Sequence, residues 1–423
     1  MKAILYRIAF FFLADPLANR WNLSYNIYGK IGGRNRLFFE RILEIGMANI
    51  HIAPDTHRKL QMLADDAKYD LACACASNKT DHRRLSADGS WIYPTTMADG
   101  RRTYLFRTLL SSHCANDCKY CPLRRDQDPV RTTLTPFETA RTFMDYWRAG
   151  RVDGLFLSSG LFKSPDGTME QLLDTVHIVR RMGFRGYVHL KIMPGASEAA
   201  IADAISVSSA VSLNIEAPGE KRFCQLSQSK NYMRDVINPM KTISNMIKEL
   251  SPHRRVKQTT QFIVGAADET DKEIVKYVAA GYERLNLHRV YFSAWQPGEI
   301  PLLDLDAIEA ARSRATREHR LYQVDFLLRK YGFTADDIAF DELSNLDAKV
   351  DPKTLWANLH PEFFPLNINK ASKVDLLKIP GLGPTTVARI LDVRKSGGRV
   401  TSLDQVGKLT KTLQKAESYV RFD

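Results

Sequence analysis

The chain has 423 residues, an apolar share of 44% and a formal net charge of +12, which suits a large globular domain with smaller additions and excludes a wholly disordered chain. Six cysteines, three of them crowded between positions 114 and 121, do not form the framework of a disulfide-rich secreted protein, so a reducing, cytoplasmic setting is expected. The excess of positive charge points to a polyanionic partner, most often nucleic acid.

The opening run from Met1 to Ala14 is apolar, but Arg7 interrupts it and it is too short to span a bilayer. No other segment is a membrane candidate. Residues 1–56 read as an N-terminal extension, or before Met47 as an upstream start, and carry no assigned function. Between 57 and 300 short apolar runs alternate with amphipathic stretches, the rhythm of βα units around a parallel sheet. Strands are expected over 104–110, 154–157, 187–192, 211–215, 259–264 and 290–293, with helices over 136–149, 169–182, 197–204, 236–250 and 271–280. The fold class is therefore α/β, a partial (β/α)6 barrel rather than a complete eight-unit one. The catalytic face of such a barrel is the C-terminal end of its strands, and the unusual residues fall there.

After the first strand comes Ser112-His113-Cys114-Ala115-Asn116-Asp117-Cys118-Lys119-Tyr120-Cys121-Pro122. Three thiolates at C-x3-C-x2-C spacing on one loop suit an iron–sulfur cube that takes four ligands, leaving one iron open to a cofactor or substrate. The same residues leave open a structural zinc site with His113 as fourth ligand, although zinc motifs come as two separated pairs, or three unrelated thiols.

The spacing, with Tyr120 just before the third cysteine, resembles the signature loop of the radical S-adenosylmethionine (SAM) enzymes. The resemblance implies a 4Fe-4S cluster on Cys114, Cys118 and Cys121 whose open iron chelates the amino and carboxylate groups of SAM, and reductive cleavage to a 5'-deoxyadenosyl radical. It implies that the Tyr120 ring covers the cofactor. Ser158-Ser159-Gly160 is similar to the family's glycine-rich turn, whose carbonyls receive the SAM ammonium, though Leu161 stands where an acidic residue is usual. Asn214 and Glu216 suit the ribose diol or the methionine end, Lys191 the carboxylate. Ile263 or Val264 is expected on adenine, with Gly265 opening the turn that follows. Each of these residues singly is equally readable as a barrel-end cap or turn. Cys73, Cys75 and Cys224 are an incomplete set for a second cluster, and free thiols are the default.

Residues 301–365 form a basic helical region. Leu321, Val324, Leu328 and Tyr331 share one face, so packing on the barrel is favoured over direct nucleic-acid contact. From 366 to 423 the run Ile368 to Leu391, with Pro380-Gly381-Leu382-Gly383 at its centre, resembles a helix-hairpin-helix DNA-binding domain. Its turn and following helix present N–H groups to a phosphate, with Gly381, Gly383, Lys378, Thr385, Thr386 and Arg389 as candidate contacts. This tail has eleven Lys/Arg against five Asp/Glu, net +6, half of the chain's excess. Packing or protein interaction is the other use of the motif. A partner hairpin near Val406-Gly407-Lys408-Leu409 lacks the second glycine.

With the residues at 60–70, His319 to Gln323 and His360 to Pro365, the chain resembles a bacterial family of DNA modification or repair radical SAM proteins that is linked to a uracil-DNA-glycosylase-like partner. The resemblance implies DNA as substrate, that glycosylase-like protein as a partner, and a reductant such as flavodoxin or ferredoxin. The alternatives are a radical SAM enzyme on RNA or a small molecule, and a non-catalytic metal-containing nucleic-acid-binding protein.

Overall fold

Strand and helix follow the two hydrophobic periods of the sequence. The computed structural model describes residues 54–67, 91–96, 102–250, 255–296 and 304–423; Cys73, Cys75 and Pro297 lie outside the described residues. Helix α1 (Thr56–Asp66) starts at Asp55, whose carboxylate accepts from the Arg58 N–H. Strands β1 (Ile92–Thr96), β2 (Arg102–Leu109), β3 (Gly154–Ser158), β4 (Tyr187–Lys191), β5 (Ala210–Ser212), β6 (Lys257–Val264) and β7 (Arg289–Ala294) form one sheet in sequential order. β2 to β7 are the six expected parallel strands; β1, antiparallel to β2, was not expected. Its Pro94 sits on the outermost strand, where a missing N–H does no harm.

The outer face carries α2 (Pro136–Arg148), α3 (Pro165–Arg181), α4 (Glu198–Val207), α5 (Glu220–Leu226), a π-helical turn (Tyr232–Ile237) running into α6 (Asn238–Lys248), and α7 (Asp271–Leu285). Capping boxes at Thr135/Glu138 and Thr270/Glu273 start α2 and α7. Phe106, Leu155, Leu157, Val188, Leu190, Val211 and Leu213 are buried on this face, with the Phe143 ring 5.9 Å from Phe106 and 4.8 Å from Phe184. A parallel sheet covered by helices explains the nearly continuous apolar runs.

A sheet that stops short of closure leaves β7 with an unpaired edge. Helix α8 (Leu305–Lys330) covers it with side chains: Glu318 accepts from the Ala294 N–H at 2.7 Å, and the Tyr322 hydroxyl accepts from the Phe292 N–H at 3.0 Å while donating to the Phe292 carbonyl at 2.9 Å. The Tyr282 hydroxyl accepts from the Val290 N–H at 3.0 Å and donates to buried Asp325, which Arg329 also holds. Arginines of α8 bond the protein as well: Arg314 donates to the Trp295 carbonyl and Arg320 to those of Asp347 and Ala348, while Arg312 stays exposed beside Glu309. Packing on the barrel, the favoured reading of this basic helix, is what the structure shows.

Beyond α8, α9 (Pro352–Leu359) leads to a small helical module with its own core around Ile368, Leu376, Ile379, Leu382, Val387, Ile390, Val400, Val406 and Ala416. Its ends meet as β8 (Leu366–Asn367) and β9 (Val420–Arg421), a parallel pair, and between them lie α10 (Lys373–Lys378), α11 (Pro384–Lys395), a short 3-10 turn (Leu403–Val406) and α12 (Lys411–Gln414). The described residues from Asp55 onward belong to one compact unit. No helix among them is long and apolar enough to cross a membrane.

Glu269 and Asp271, whose carboxylates are fully buried, share Arg317, whose guanidinium stands 3.3 Å from the first and 2.9 Å from the second. Removing a partner from a buried ion pair leaves an uncompensated charge. Arg317→Ala is therefore expected to destabilise the protein by about 3–5 kcal/mol, read as a lower midpoint in urea with an unchanged slope.

Candidate functional site

The cysteine loop leaves the C-terminal end of β2 and is held from three sides. On the β3 side, the Leu110 N–H donates to the Ser158 carbonyl, the Gly160 N–H to the Ser111 carbonyl and the Ala115 N–H to the Leu161 carbonyl, at 2.8 Å each. A Cβ on Gly160 would collide with the carbonyl oxygen of His113, so the glycine here lets two loops of the chain approach one another. Arg131, on the second side, donates to the carbonyls of Ser112, Leu123, Arg124 and Gln127.

The third side is the segment after α5, and sequence reading missed it. Asp117 accepts from the Ser227 and Ser229 hydroxyls at 2.5 and 2.7 Å and from the Gln228 and Ser229 N–H groups at 3.1 and 3.2 Å. These donors hold its carboxyl well below the ordinary range, against the upward push of burial. The next residue, Lys230, is buried. The signal was an acidic residue inside the cysteine motif and a polar Ser-Gln-Ser-Lys run that no helix explains.

Cys118 is buried, Cys114 and Cys121 half-buried, and none of the three is in a disulfide, nor is exposed Cys224 on α5. Burial pushes the Cys118 thiol up, and the neighbouring Lys230, which hydrogen-bonds it, pulls the other way. Burial depresses Lys230 in turn, but Cys118 and Glu216 more than offset this and raise it. Tyr120 turns its hydroxyl inward to Glu216; burial, then the charges of Glu216 and Cys118, push the phenol well up. Glu216 itself is 6% exposed and has φ of 64°, a left-handed conformation that costs a non-glycine residue about 1–2 kcal/mol. Two bonds across to β6 fix it: its N–H donates to the Gln261 carbonyl at 3.0 Å and its carbonyl accepts from the Ile263 N–H at 2.8 Å. Asn214 Nδ2 lies 3.5 Å from the Glu216 carboxylate.

Among the described residues no three His, Cys, Asp or Glu side chains converge as a single ion would require. A cube takes one thiolate per corner and does not ask for that convergence. His113 is exposed.

The structure thus brings together Cys114, Cys118, Tyr120, Cys121, Asn214 and Glu216, with Ser158, Ser159 and Gly160 bound to the loop through its backbone. Lys191 ends β4 beside Ser212 of β5. Ile263 is buried on β6, joined to Glu216 through the backbone. Gly265, at φ of 82°, adjoins Arg314, whose side chain a Cβ would strike at 2.8 Å; its N–H donates to Glu269. Below the loop the inward face of the strands is polar rather than filled by branched aliphatics as in a closed barrel. Arg107 lies 4.6 Å over the Phe156 ring, that ring is 4.5 Å from His189, and His189 Nε2 is 2.9 Å from the Ser212 hydroxyl. Thr259 Oγ1 and Gln261 Nε2 are buried there with no hydrogen-bond partner; they alternate with Gln258, Thr260 and Phe262 of the helix-covered face.

In the terminal module Gly381 has φ of 86°, and a Cβ there would collide with the Thr412 carbonyl. The turn therefore packs against the second, glycine-poor hairpin. Gly383 precedes α11 with no side chain to cap it, and exposed Thr385 and half-buried Thr386 lie in the first turn. Lys378 points to the barrel side of the module: its Nζ is 4.6 Å from the Trp356 ring, 5.5 Å from Phe333, 5.9 Å from Phe363 and 3.8 Å from Asp337. Arg389 donates to the Val406 carbonyl at 3.2 Å. The Leu382 carbonyl accepts from Lys353 at 2.6 Å, and burial pulls that lysine down to about 7.

Residues 364–421 match the family model described as a helix-hairpin-helix motif. No curated protein matches the chain. Similar solved structures include the FeFe-hydrogenase maturase HydG from Carboxydothermus hydrogenoformans, at 14% identity and a TM-score of 0.39 over 50% of either chain. Methylornithine synthase (PylB) is 12% identical, with a TM-score of 0.37 over 49% of this chain and 60% of its own. The structure described as native anSMEcpe with bound AdoMet is 12% identical, with a TM-score of 0.37 over 53% of this chain and 61% of its own. The chain spans about half to three-fifths of the length of these structures, and likeness of this degree says nothing of chemistry.

Thiol reactivity follows thiolate access. In the metal-free protein Cys224 is expected to alkylate first and Cys118 last among the described cysteines. Gly160→Ala, which must displace His113, is expected to speed alkylation of Cys118 about tenfold or more, measured by timed iodoacetamide labelling and peptide mass spectrometry.

Proposed function

We propose that the chain is a radical SAM enzyme with a 4Fe-4S cluster and that it acts on DNA, in modification or repair. The observation that carries this reading is the meeting of three thiols from one loop with Glu216 and Asn214 at the C-terminal end of an open parallel barrel, in a chain that also bears a helix-hairpin-helix module. The donor set fits the group: three thiols outside any disulfide, one of them buried beside a cation, with His113 exposed and Asp117 turned to Ser227 and Ser229 rather than joining them. When bound, the cluster and SAM supply the electron and the 5'-deoxyadenosyl radical that attacks a C–H bond.

The chain's own residues bind, orient and exclude water. Cys114, Cys118 and Cys121 hold three corners of the cluster, and Tyr120 covers it. Ser158, Ser159 and Gly160 offer carbonyls to the SAM ammonium; Asn214, Glu216 and Lys191 take the ribose and the methionine end; Ile263 and Gly265 border adenine. The polar inward face beneath receives the target nucleotide, single-stranded or flipped out of a duplex. In the hairpin, the N–H groups of Gly383, Thr385 and Thr386 take a backbone phosphate without reading sequence, while Gly381 shapes the turn. Lys378, half-buried against the rings of Trp356, Phe333 and Phe363, supports the hairpin from behind, and exposed Arg389, joined to the Val406 carbonyl, adds a cation at the surface. A flavodoxin- or ferredoxin-like donor in the cytoplasm supplies the electron, and a uracil-DNA-glycosylase-like protein is the partner a repair role calls for.

Engagement of Lys378 against the barrel-side rings also favours a second reading, in which the module is a tether and the substrate is RNA or a small molecule. Release of 5'-deoxyadenosine from SAM by the anaerobically reconstituted, reduced protein separates the two. DNA is expected to stimulate release, Cys118→Ala to reduce it to background, and the doubly substituted T385D/T386D to remove the stimulation by placing negative charge where the phosphate binds. Release indifferent to DNA and to the double substitution would favour the tether.

A further inference from the structure

Lys230 stands out among the charged groups of the site because it is 8% exposed and belongs to no motif. A buried ammonium is rare unless paired. Its surroundings are the Phe223 ring, 5.2 Å from Nζ to centroid, the Cys118 sulfur, to which it hydrogen-bonds, Glu216 and Cys114. Asp235, the next acidic group, is engaged by Arg234 and the Asn231 N–H. The segment that delivers Lys230 is tied to the cysteine loop by the bonds of Ser227, Gln228 and Ser229 to Asp117, and by the Lys119 N–H, which donates to the Leu226 carbonyl at 2.8 Å. The lysine and the thiol are thus held as one piece. Among the three loop cysteines, Cys118 is the buried one, where a hydrogen bond is least weakened by water.

We propose that Lys230 is a positioning residue for the cluster, its ammonium donating to the Cys118 sulfur while that sulfur binds iron and thereby making the cluster easier to reduce. The inference rests on the reading of the loop as a cluster site. In the step concerned, one electron passes from an external low-potential donor to the cluster; no bond in the chain is made or broken, and Lys230 keeps its proton. Hydrogen bonds and charge at cluster sulfurs set the potential, and a cation beside the sulfur stabilises the more negative, reduced state. Glu216, on the other side of the same lysine, works in the opposite direction.

The test is a redox titration of the full-length reconstituted protein with dithionite, without SAM, followed by the cluster's absorbance and electron paramagnetic resonance. Lys230→Met is expected to disfavour reduction at least tenfold, a drop of about 59 mV for one electron, Lys230→Arg to stay near the wild-type value, and Glu216→Gln to move the potential upward. The doubly substituted S227A/S229A, which loosens the segment without removing the lysine or changing any charge, should shift it downward and serves where Lys230→Met does not fold. Lower cluster content with an unchanged potential would overturn the inference and leave Lys230 a structural residue. An unchanged potential with weaker SAM binding would overturn it too, assigning the lysine to the cofactor. Failure of the wild-type chain to hold any cluster would instead overturn the reading of the loop itself.

Discussion

A parallel sheet that does not close leaves amides without partners along its last strand, and much of this structure follows from how they are met. Glu318, Tyr322 and Tyr282 supply hydrogen bonds that a further strand beside β7 would have given it. Helix α8 is thereby fixed against the sheet, and its arginines reach the loops after β6 and β7, where Arg317 neutralises two buried carboxylates. The interior differs as well. Closed barrels fill that space with branched aliphatic side chains; here buried Arg107, His189, Ser212, Thr259 and Gln261 make the inward face of the strands polar.

At that end, charge and backbone geometry reinforce one another. Asp117 anchors the segment carrying Lys230, Lys230 lies between Cys118 and Glu216, and Glu216 keeps a left-handed backbone because β6 bonds it on both sides. Backbone strain of this kind persists where the surroundings over-determine it. The hairpin module is held to the barrel side through cations in the same manner, Lys378 against three aromatic rings and Lys353 on the Leu382 carbonyl. Of the module's basic residues Lys378 and Arg394 are half-buried, while the others, Lys395, Arg399 and Lys408 among them, are exposed together with the uncapped start of α11.

The six parallel strands and most of the helices over them were legible in the sequence because period and length both signal them, but α5 was not expected and ends are displaced by up to five residues, as at Leu285 of α7. β5 is the clearest case: the expected strand ran to Ile215, but regular pairing stops at Ser212 and resumes only as an isolated bridge at Glu216. β1 escaped because its Ile-Tyr-Pro-Thr-Thr has a proline and only half an alternation. In the site, the cysteines and the strand-end residues stood out by type and position. Asp117 and Lys230 did not, since their meaning lies in a contact across 110 or more positions, which no local pattern encodes. Gly160 stood out as part of a glycine turn, but its closeness to the His113 carbonyl is a contact between two loops that the turn alone does not signal.

The central claim is that one loop holds a cluster with an open iron. It is tested most directly by iron and acid-labile sulfide per chain after anaerobic reconstitution, together with the resonance spectrum of the reduced protein before and after addition of SAM. About four iron and four sulfide per chain, lost in Cys118→Ala, and a spectrum that changes when SAM is added are the predicted result. One zinc per chain with no sulfide, or a complete cluster blind to SAM, would contradict it.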